Sequence, residues 1–300
     1  VTNANNCSST ASATVTVNPN PTAGVNTPSP ICVGQSASLT ATGGGTYSWS
    51  TGATTANINV SPATTTTYIV TVTNANNCSS TASATVTVNP NPTAGVNTPS
   101  PICVGQSASL TATGGGTYSW STGATTANIN VSPATTTTYI VTVTNANNCS
   151  STASATVTVN PLPTPSVSAP SPICVGQSAT LTASGGTNYQ WNTGANTASI
   201  TVSPGSTTTY TVTVTSAAGC SATASGTVTV NPLPTPSVSA PAPICVGQSA
   251  TLTASGGTNY IWNTGSTSAT INVSPSTTTT YTVTVTNANG CSATASGTVT

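Results

Sequence analysis

Cysteine is the one side chain in this sequence equipped for covalent chemistry, and it recurs in two fixed frames. Cys32, Cys103, Cys174 and Cys245 each lie in the octapeptide PICVGQSA, which begins at Pro30, Pro101, Pro172 and Pro243. Cys7, Cys78, Cys149, Cys220 and Cys291 each follow a short polar turn such as NANN, SAAG or NANG. Nothing in the composition can activate these thiols. The 300 residues include no Lys, Arg, Asp, Glu or His. General acid–base catalysis draws mainly on those residue types, and without a base the Ser, Tyr and Cys side chains are poor nucleophiles. The chain is therefore expected not to be an enzyme and to use no cofactor.

The same composition removes several binding functions. Nucleic-acid phosphate and anionic headgroups need basic partners. Calcium sites need carboxylates, and Lys–Asn isopeptide cross-links need Lys. Zinc takes four ligands close together, usually from C-x2-C pairs or His, and neither occurs here. No apolar run approaches the roughly 18 residues of a membrane-spanning helix. What remains for cysteine is the disulfide, which implies an oxidising, extracellular setting.

The elements that position the cysteines repeat. Both Cys series and the series Trp49, Trp120, Trp191 and Trp262 advance by 71 residues, and Val1–Pro90 reappears unchanged as Val72–Pro161. The chain lacks Met and opens and closes inside a repeat, so it reads as an internal stretch of a longer protein. Full modules are expected at 22–89, 93–160, 164–231 and 235–300, preceded at 1–18 by the closing hairpin of another. Between them run Pro-rich stretches such as NPNPTAGVNTPSP and NPLPTPSVSAPSP. Proline fixes φ and removes a donor, so these connectors should be extended and semi-rigid.

Within a module the hydrophobic period is two. Tyr68, Val70 and Val72 alternate with Thr71 and Thr73. Ala82, Ala84, Val86 and Val88 alternate with Ser83, Thr85 and Thr87. Such β-branched alternation marks half-buried strands. Several short strands with frequent turns, one Trp in the middle strands and a Tyr opening the penultimate strand predict an all-β fold of tandem immunoglobulin-like sandwiches on a 71-residue repeat. Trp49, Trp120, Trp191 and Trp262 are the expected core residues, with Tyr68, Tyr139, Tyr210 and Tyr281 beside them as core aromatics or as tyrosine corners.

A module of about 70 residues buries little and gains from a staple. Cys32 to Cys78 spans 46 residues inside a module, and Cys78 to Cys103 spans 25 across a connector. The first strand of such a sandwich runs beside the last, so the expected bonds are Cys32–Cys78, Cys103–Cys149, Cys174–Cys220 and Cys245–Cys291. Each would contribute roughly 3–4 kcal/mol by loop closure. Cys7 would have its partner upstream.

The string from PICVGQSATLTASGG through YQWNTG to TYTVTVTSAAGCSATASGTVTVNP, Pro172–Pro232, resembles the Ig-like/PKD-like repeats of very large bacterial surface proteins associated with gliding, adhesion and type IX secretion. The resemblance extends over the whole chain through its C-x-G-x-S, W, Y-x-V-x-V and G-C frame. The Asp-containing signature of PKD domains proper is missing, which favours the Ig-like label. The resemblance implies a structural role: a disulfide-stapled spacer in an extracellular stalk, adhesin or filament. Expected partners are neighbouring modules, other copies in a fibre, and glycans. The alternative is a carbohydrate- or surface-binding module that uses Thr-rich strand faces such as Thr71, Thr73, Thr85 and Thr87. Modules of 30–40 Å would place four in line at about 120–160 Å.

Overall fold

The alternation of apolar and hydroxyl side chains is realised as strands throughout the computed structural model, which describes all 300 residues. The chain forms two compact units, Val1–Val159 and Asn160–Thr300. Each unit carries the strand pattern of the repeat twice, the last copy with six of its eight strands.

In its first occurrence the pattern runs β1 (Gly24–Val25), β2 (Ile31–Cys32), β3 (Ala37–Thr42), β4 (Thr46–Trp49), β5 (Asn57–Val60), β6 (Thr66–Thr73), β7 (Ser79–Val86) and β8 (Val88–Asn89). One sheet has the order β1-β3-β5 and the other β4-β6-β7, both antiparallel. The short β2 pairs parallel to β8, with Ile31 opposite Val88 and Cys32 opposite Asn89. The first stretch of the module thus begins on the β1-β3-β5 sheet and finishes in a separate two-stranded pairing with β8. Pro28 and Pro30 occupy the crossing, where a ladder donor is not needed. This is the immunoglobulin-like sandwich in tandem, all-β and without helices.

Its core comes from the inward side of each strand. Along β3, Ala37, Leu39 and Ala41 are buried while Ser38, Thr40 and Thr42 face out. Leu39, Val70, Val72 and Val86 are fully buried, and Trp49 packs with them. The four Trp are 2–3% exposed, and each indole N–H donates to a backbone carbonyl six residues on, such as Trp49 to Thr55 O at 2.9 Å. The polar end of a buried Trp is thereby satisfied. Tyr139 and Tyr281 are buried, and Tyr68 and Tyr210 pack half-buried against their cores. The hydroxyl-to-backbone bonds that a tyrosine corner would require come instead from Tyr189 to Gly186 O and Tyr260 to Gly257 O.

On the outer face, Thr pairs bridge β6 and β7 and their counterparts. Thr67 with Thr85, Thr138 with Thr156, Thr209 with Thr227 and Thr280 with Thr298 stand 2.8–3.0 Å apart. Cross-strand hydroxyl pairs of this kind add a few tenths of a kcal/mol to about 1 kcal/mol each.

The turn at the tip of β6 and β7 needs one residue in the left-handed region. Asn77 and Asn148 supply it at φ 61° and 58°, and Gly219 and Gly290 take the position in the second unit at φ 81° and 79°. Asn and Gly tolerate this backbone where other residues do not.

Candidate functional site: the junction between modules

The site is built around a connector. In the first unit the chain leaves β8 at Asn89 and runs through Pro90, Asn91 and Pro92 into the next repeat. Two elements, one from each module, close on it. From the first module comes the PICVGQSA segment. Gly34, at φ +89°, turns the chain, and the Gln35 side-chain carbonyl accepts the Cys32 N–H at 3.1 Å. The Val33 N–H donates to Asn89 O at 3.1 Å, and the Asn91 carboxamide donates to Val33 O at 3.3 Å.

From the second module comes the hairpin that joins Thr137–Thr144 to Ser150–Val157. Asn145 organises it. Its Oδ1 accepts the Asn147 N–H at 3.0 Å and the Cys149 N–H at 3.1 Å, and its Nδ2 donates to Pro90 O at 2.9 Å. The Ser151 hydroxyl donates to Pro92 O and accepts the Ala94 N–H. Cys149 Sγ lies 3.8 Å from Asn89 O.

Asn89 is the meeting point, with Cys32 beside it in the parallel bridge and Cys149 above its carbonyl. The two sulfurs are bonded, with Cα atoms 5.5 Å apart. The second unit repeats the arrangement. Cys174 stands opposite Asn231, Cys291 Sγ lies 3.8 Å from Asn231 O, and Asn287 Nδ2 donates to Pro232 O at 2.9 Å. Cys174 and Cys291 are bonded with Cα atoms 5.6 Å apart. Both bonds span 117 residues. Cys103 and Cys220 are also disulfide-bonded.

The staple therefore joins successive modules, and the pairing expected from the sequence is corrected. Cys32 does not bond Cys78, nor Cys103 Cys149, because Cys149 takes Cys32. Cys174 does not bond Cys220, nor Cys245 Cys291, because Cys291 takes Cys174. Cys78 and Cys245 are free thiols, together with Cys7. The reason is strand direction. β2 is parallel to β8, so Cys32 meets the far end of the closing strand at Asn89. Cys78 precedes β7 at its near end, roughly 35 Å away at about 3.3 Å per residue. A disulfide needs Cα atoms within about 7 Å. The first and last strands are neighbours, but their cysteines sit at opposite ends.

Asn145 and Asn287 were not singled out from the sequence. The signal was available: each stands four residues before a hairpin cysteine, and Asn is the residue that most readily caps its own following backbone.

No family model matches the chain, and no curated protein matches it. Among solved structures it is similar to the N-terminal eight immunoglobulin domains of Down syndrome cell adhesion molecule, at 17% identity and TM-score 0.33, covering 93% of this chain. This chain spans about half, 54%, of that one. It is similar to a calcium-stabilised adhesin with which an Antarctic bacterium binds ice, at 16% identity and TM-score 0.33, covering 94% of this chain and 99% of that one. It is also similar to an ectodomain fragment of ICAM-5, at 12% identity and TM-score 0.37, covering 92% and 98%. These likenesses are too loose to transfer any ligand or partner, and the chain's chemistry is read from its own junctions.

Proposed function

We propose that this chain is a repeat region of an extracellular bacterial surface stalk, adhesin or filament, acting as a spacer whose modules are locked to one another. The observation that carries the reading is the junction. A Pro-rich connector is held by hydrogen bonds from both neighbouring modules and then closed by a disulfide between them. A chain meant to flex between domains would leave its connector unbonded. Disulfides of this kind persist in oxidising compartments, which supports a location outside the cytosol. The sequence resemblance supports the narrower setting of giant surface proteins associated with gliding and type IX secretion.

The alternative, adhesion through Thr-rich faces, meets an obstacle in the Thr67–Thr85 pairs and their repeats, which commit one hydroxyl donor of each pair to its neighbour. Single-molecule pulling tests the spacer reading. Before reduction, the first two modules should resist extension beyond the segments outside Cys32–Cys149. After reduction each should yield its full contour length. Equal extension in both states would reject the stapled spacer. Specific retention on glycans or ice with unchanged mechanics would favour adhesion.

A further inference from the structure

Hydroxyls and carboxamides along the strands of this chain are commonly spent on one another or on the backbone. Five in the third module are not. Asn188, Gln190, Asn196, Thr213 and Thr215 line one cleft of about 420 Å³, and none of their side chains makes a hydrogen bond within the protein. Close by, Thr209 bonds Thr227 at 2.9 Å, and Asn192 Oδ1 accepts the Thr211 N–H at 3.3 Å. The third copy alone sets carboxamides at the positions of Gln190 and Asn196. The same positions hold Ser48 and Thr54 in the first module, Ser119 and Thr125 in the second, and Ile261 and Thr267 in the fourth.

The cleft lies on the outward side of Asn188–Trp191, the edge strand of its sheet, and of Thr208–Thr215 beside it. Register sets Asn188 opposite Thr215 and Gln190 opposite Thr213. Each carboxamide thus faces a hydroxyl about 5 Å across the strands, and the two rungs stand about 6.7 Å apart along them. The start of the edge strand is pinned. The Thr187 hydroxyl donates to Thr215 O at 3.1 Å, and the Tyr189 hydroxyl donates to Gly186 O at 3.0 Å. Beyond its end the Trp191 N–H donates to Ala195 O at 2.8 Å, and the Trp191 indole donates to Thr197 O at 2.9 Å. These two bonds fold the chain back and bring Asn196 into the lining of the cleft. The backbone that carries the five side chains is set before any ligand arrives, which lowers the ordering cost of binding.

We propose that this cleft binds an uncharged sugar of one or two rings. A carboxamide offers an acceptor oxygen and two donor hydrogens, and a threonine hydroxyl donates or accepts. The ligand must therefore present donors and acceptors side by side. Neighbouring hydroxyls of a sugar ring do so: one accepts from the carboxamide N–H while the next donates to its oxygen. The ligand must also be neutral. The chain has no Lys, Arg, His, Asp or Glu, so a carboxylate, phosphate or ammonium group would lose water here with no counter-charge to meet it. The volume falls in the range of roughly 300–1,000 Å³ usual for small-ligand sites.

This assignment goes beyond the spacer reading. It also differs from adhesion through paired threonines, because its side chains have no partner to give up. It does not depend on the staples between modules. The cleft lies inside the third module, so pulling reads the junctions, sugar binding reads the cleft, and either can fail alone.

The test titrates the isotope-labelled full chain with glucose, maltose, cellobiose, lactose, mannobiose, chitobiose and glucuronic acid, followed by NMR. Each sugar is raised to about 20 mM, where a Kd of a few millimolar already approaches saturation. At least one neutral sugar should shift the side-chain NH2 signals of Asn188, Gln190 and Asn196, and glucuronic acid should not. Gln190→Ala combined with Asn196→Ala should weaken that sugar about tenfold, as expected for two lost hydrogen bonds, with an unchanged urea midpoint. Ser48→Ala, at the matching position of the first module, should leave binding as it was. The proposal is overturned if no neutral sugar shifts these signals, if binding survives the double substitution, or if glucuronic acid binds as well as the neutral sugars. It is also overturned if the signals move with protein concentration alone, which would mean that a second copy fills the cleft.

Discussion

Asn145 and Ser216 occupy the same position of successive repeats, which makes one chain its own control. Asn145 holds its hairpin and connector with three hydrogen bonds of 2.9–3.1 Å. Ser216 keeps the hairpin's backbone bonds but leaves its own buried hydroxyl without a partner. Asn145→Ser removes the connector bond and weakens the cap on the N–H of the buried Cys149. At about 0.5–1.5 kcal/mol for each hydrogen bond that water cannot replace, the loss should be about 2 kcal/mol. Ser216→Asn should do the reverse. It adds comparable bonds and relieves an unsatisfied group, itself worth about 1–3 kcal/mol, so a gain of about 2 kcal/mol is expected. Urea unfolding under non-reducing conditions measures both. Tryptophan fluorescence reports the module concerned when Trp120 or Trp191 is kept and the other three are changed to Phe in the reference chain as well. The two variants should shift the midpoint in opposite directions with unchanged slope. If Asn145→Ser destabilises while Ser216→Asn does nothing or worse, the carboxamide is not what organises the junction.

Three further outcomes follow from the same structure. Trp49→Ala should cost its module about 3–5 kcal/mol, whereas Trp49→Phe should cost about 1–2 kcal/mol through the lost bond to Thr55 O; equal costs in urea unfolding would contradict the packing described. Replacing Cys32 and Cys149 together by Ser should lower the stability of the first unit by up to about 5 kcal/mol, the loop-closure value for a bond of this span, and a calorimetric change below about 1 kcal/mol would count against it. With no Asp, Glu or His to change protonation, the unfolding free energy should vary by less than about 0.5 kcal/mol between pH 4 and pH 7; a urea midpoint that slopes through this range would contradict it.

The fold was legible because its causes are local. Alternation at Ala37–Thr42 and Thr66–Thr73 dictates half-buried strands, and the 71-residue period dictates a tandem array. The staple was not legible, for a reason specific to repeats. Cys32 is 46 residues from Cys78 and 117 from Cys149, and these offsets differ by one repeat. Periodicity alone cannot choose between them. The choice is made by the two-residue parallel bridge of Ile31–Cys32 on Val88–Asn89, which turns Cys32 toward the exit of its module. A pairing so short leaves no hydrophobic pattern from which direction could be read. The role of Asn145 was hidden for a similar reason, since its partner Pro90 lies 55 residues away.

Disulfide mapping in the second unit tests the central claim most directly. Around Cys32, Cys103, Cys78 and Cys149 the repeats are identical, so linked peptides there would be ambiguous. Around the others longer peptides differ: APSPICVG at Cys174, against TPSPICVG at Cys32 and Cys103, with APAPICVG at Cys245, SAAGCS at Cys220 and NANGCS at Cys291. The chain lacks Lys and Arg for trypsin, so thermolysin or elastase is required. Digestion without reduction should release APSPICVG linked to NANGCS, which places the staple between modules. APSPICVG linked to SAAGCS would place it within one module and contradict the account.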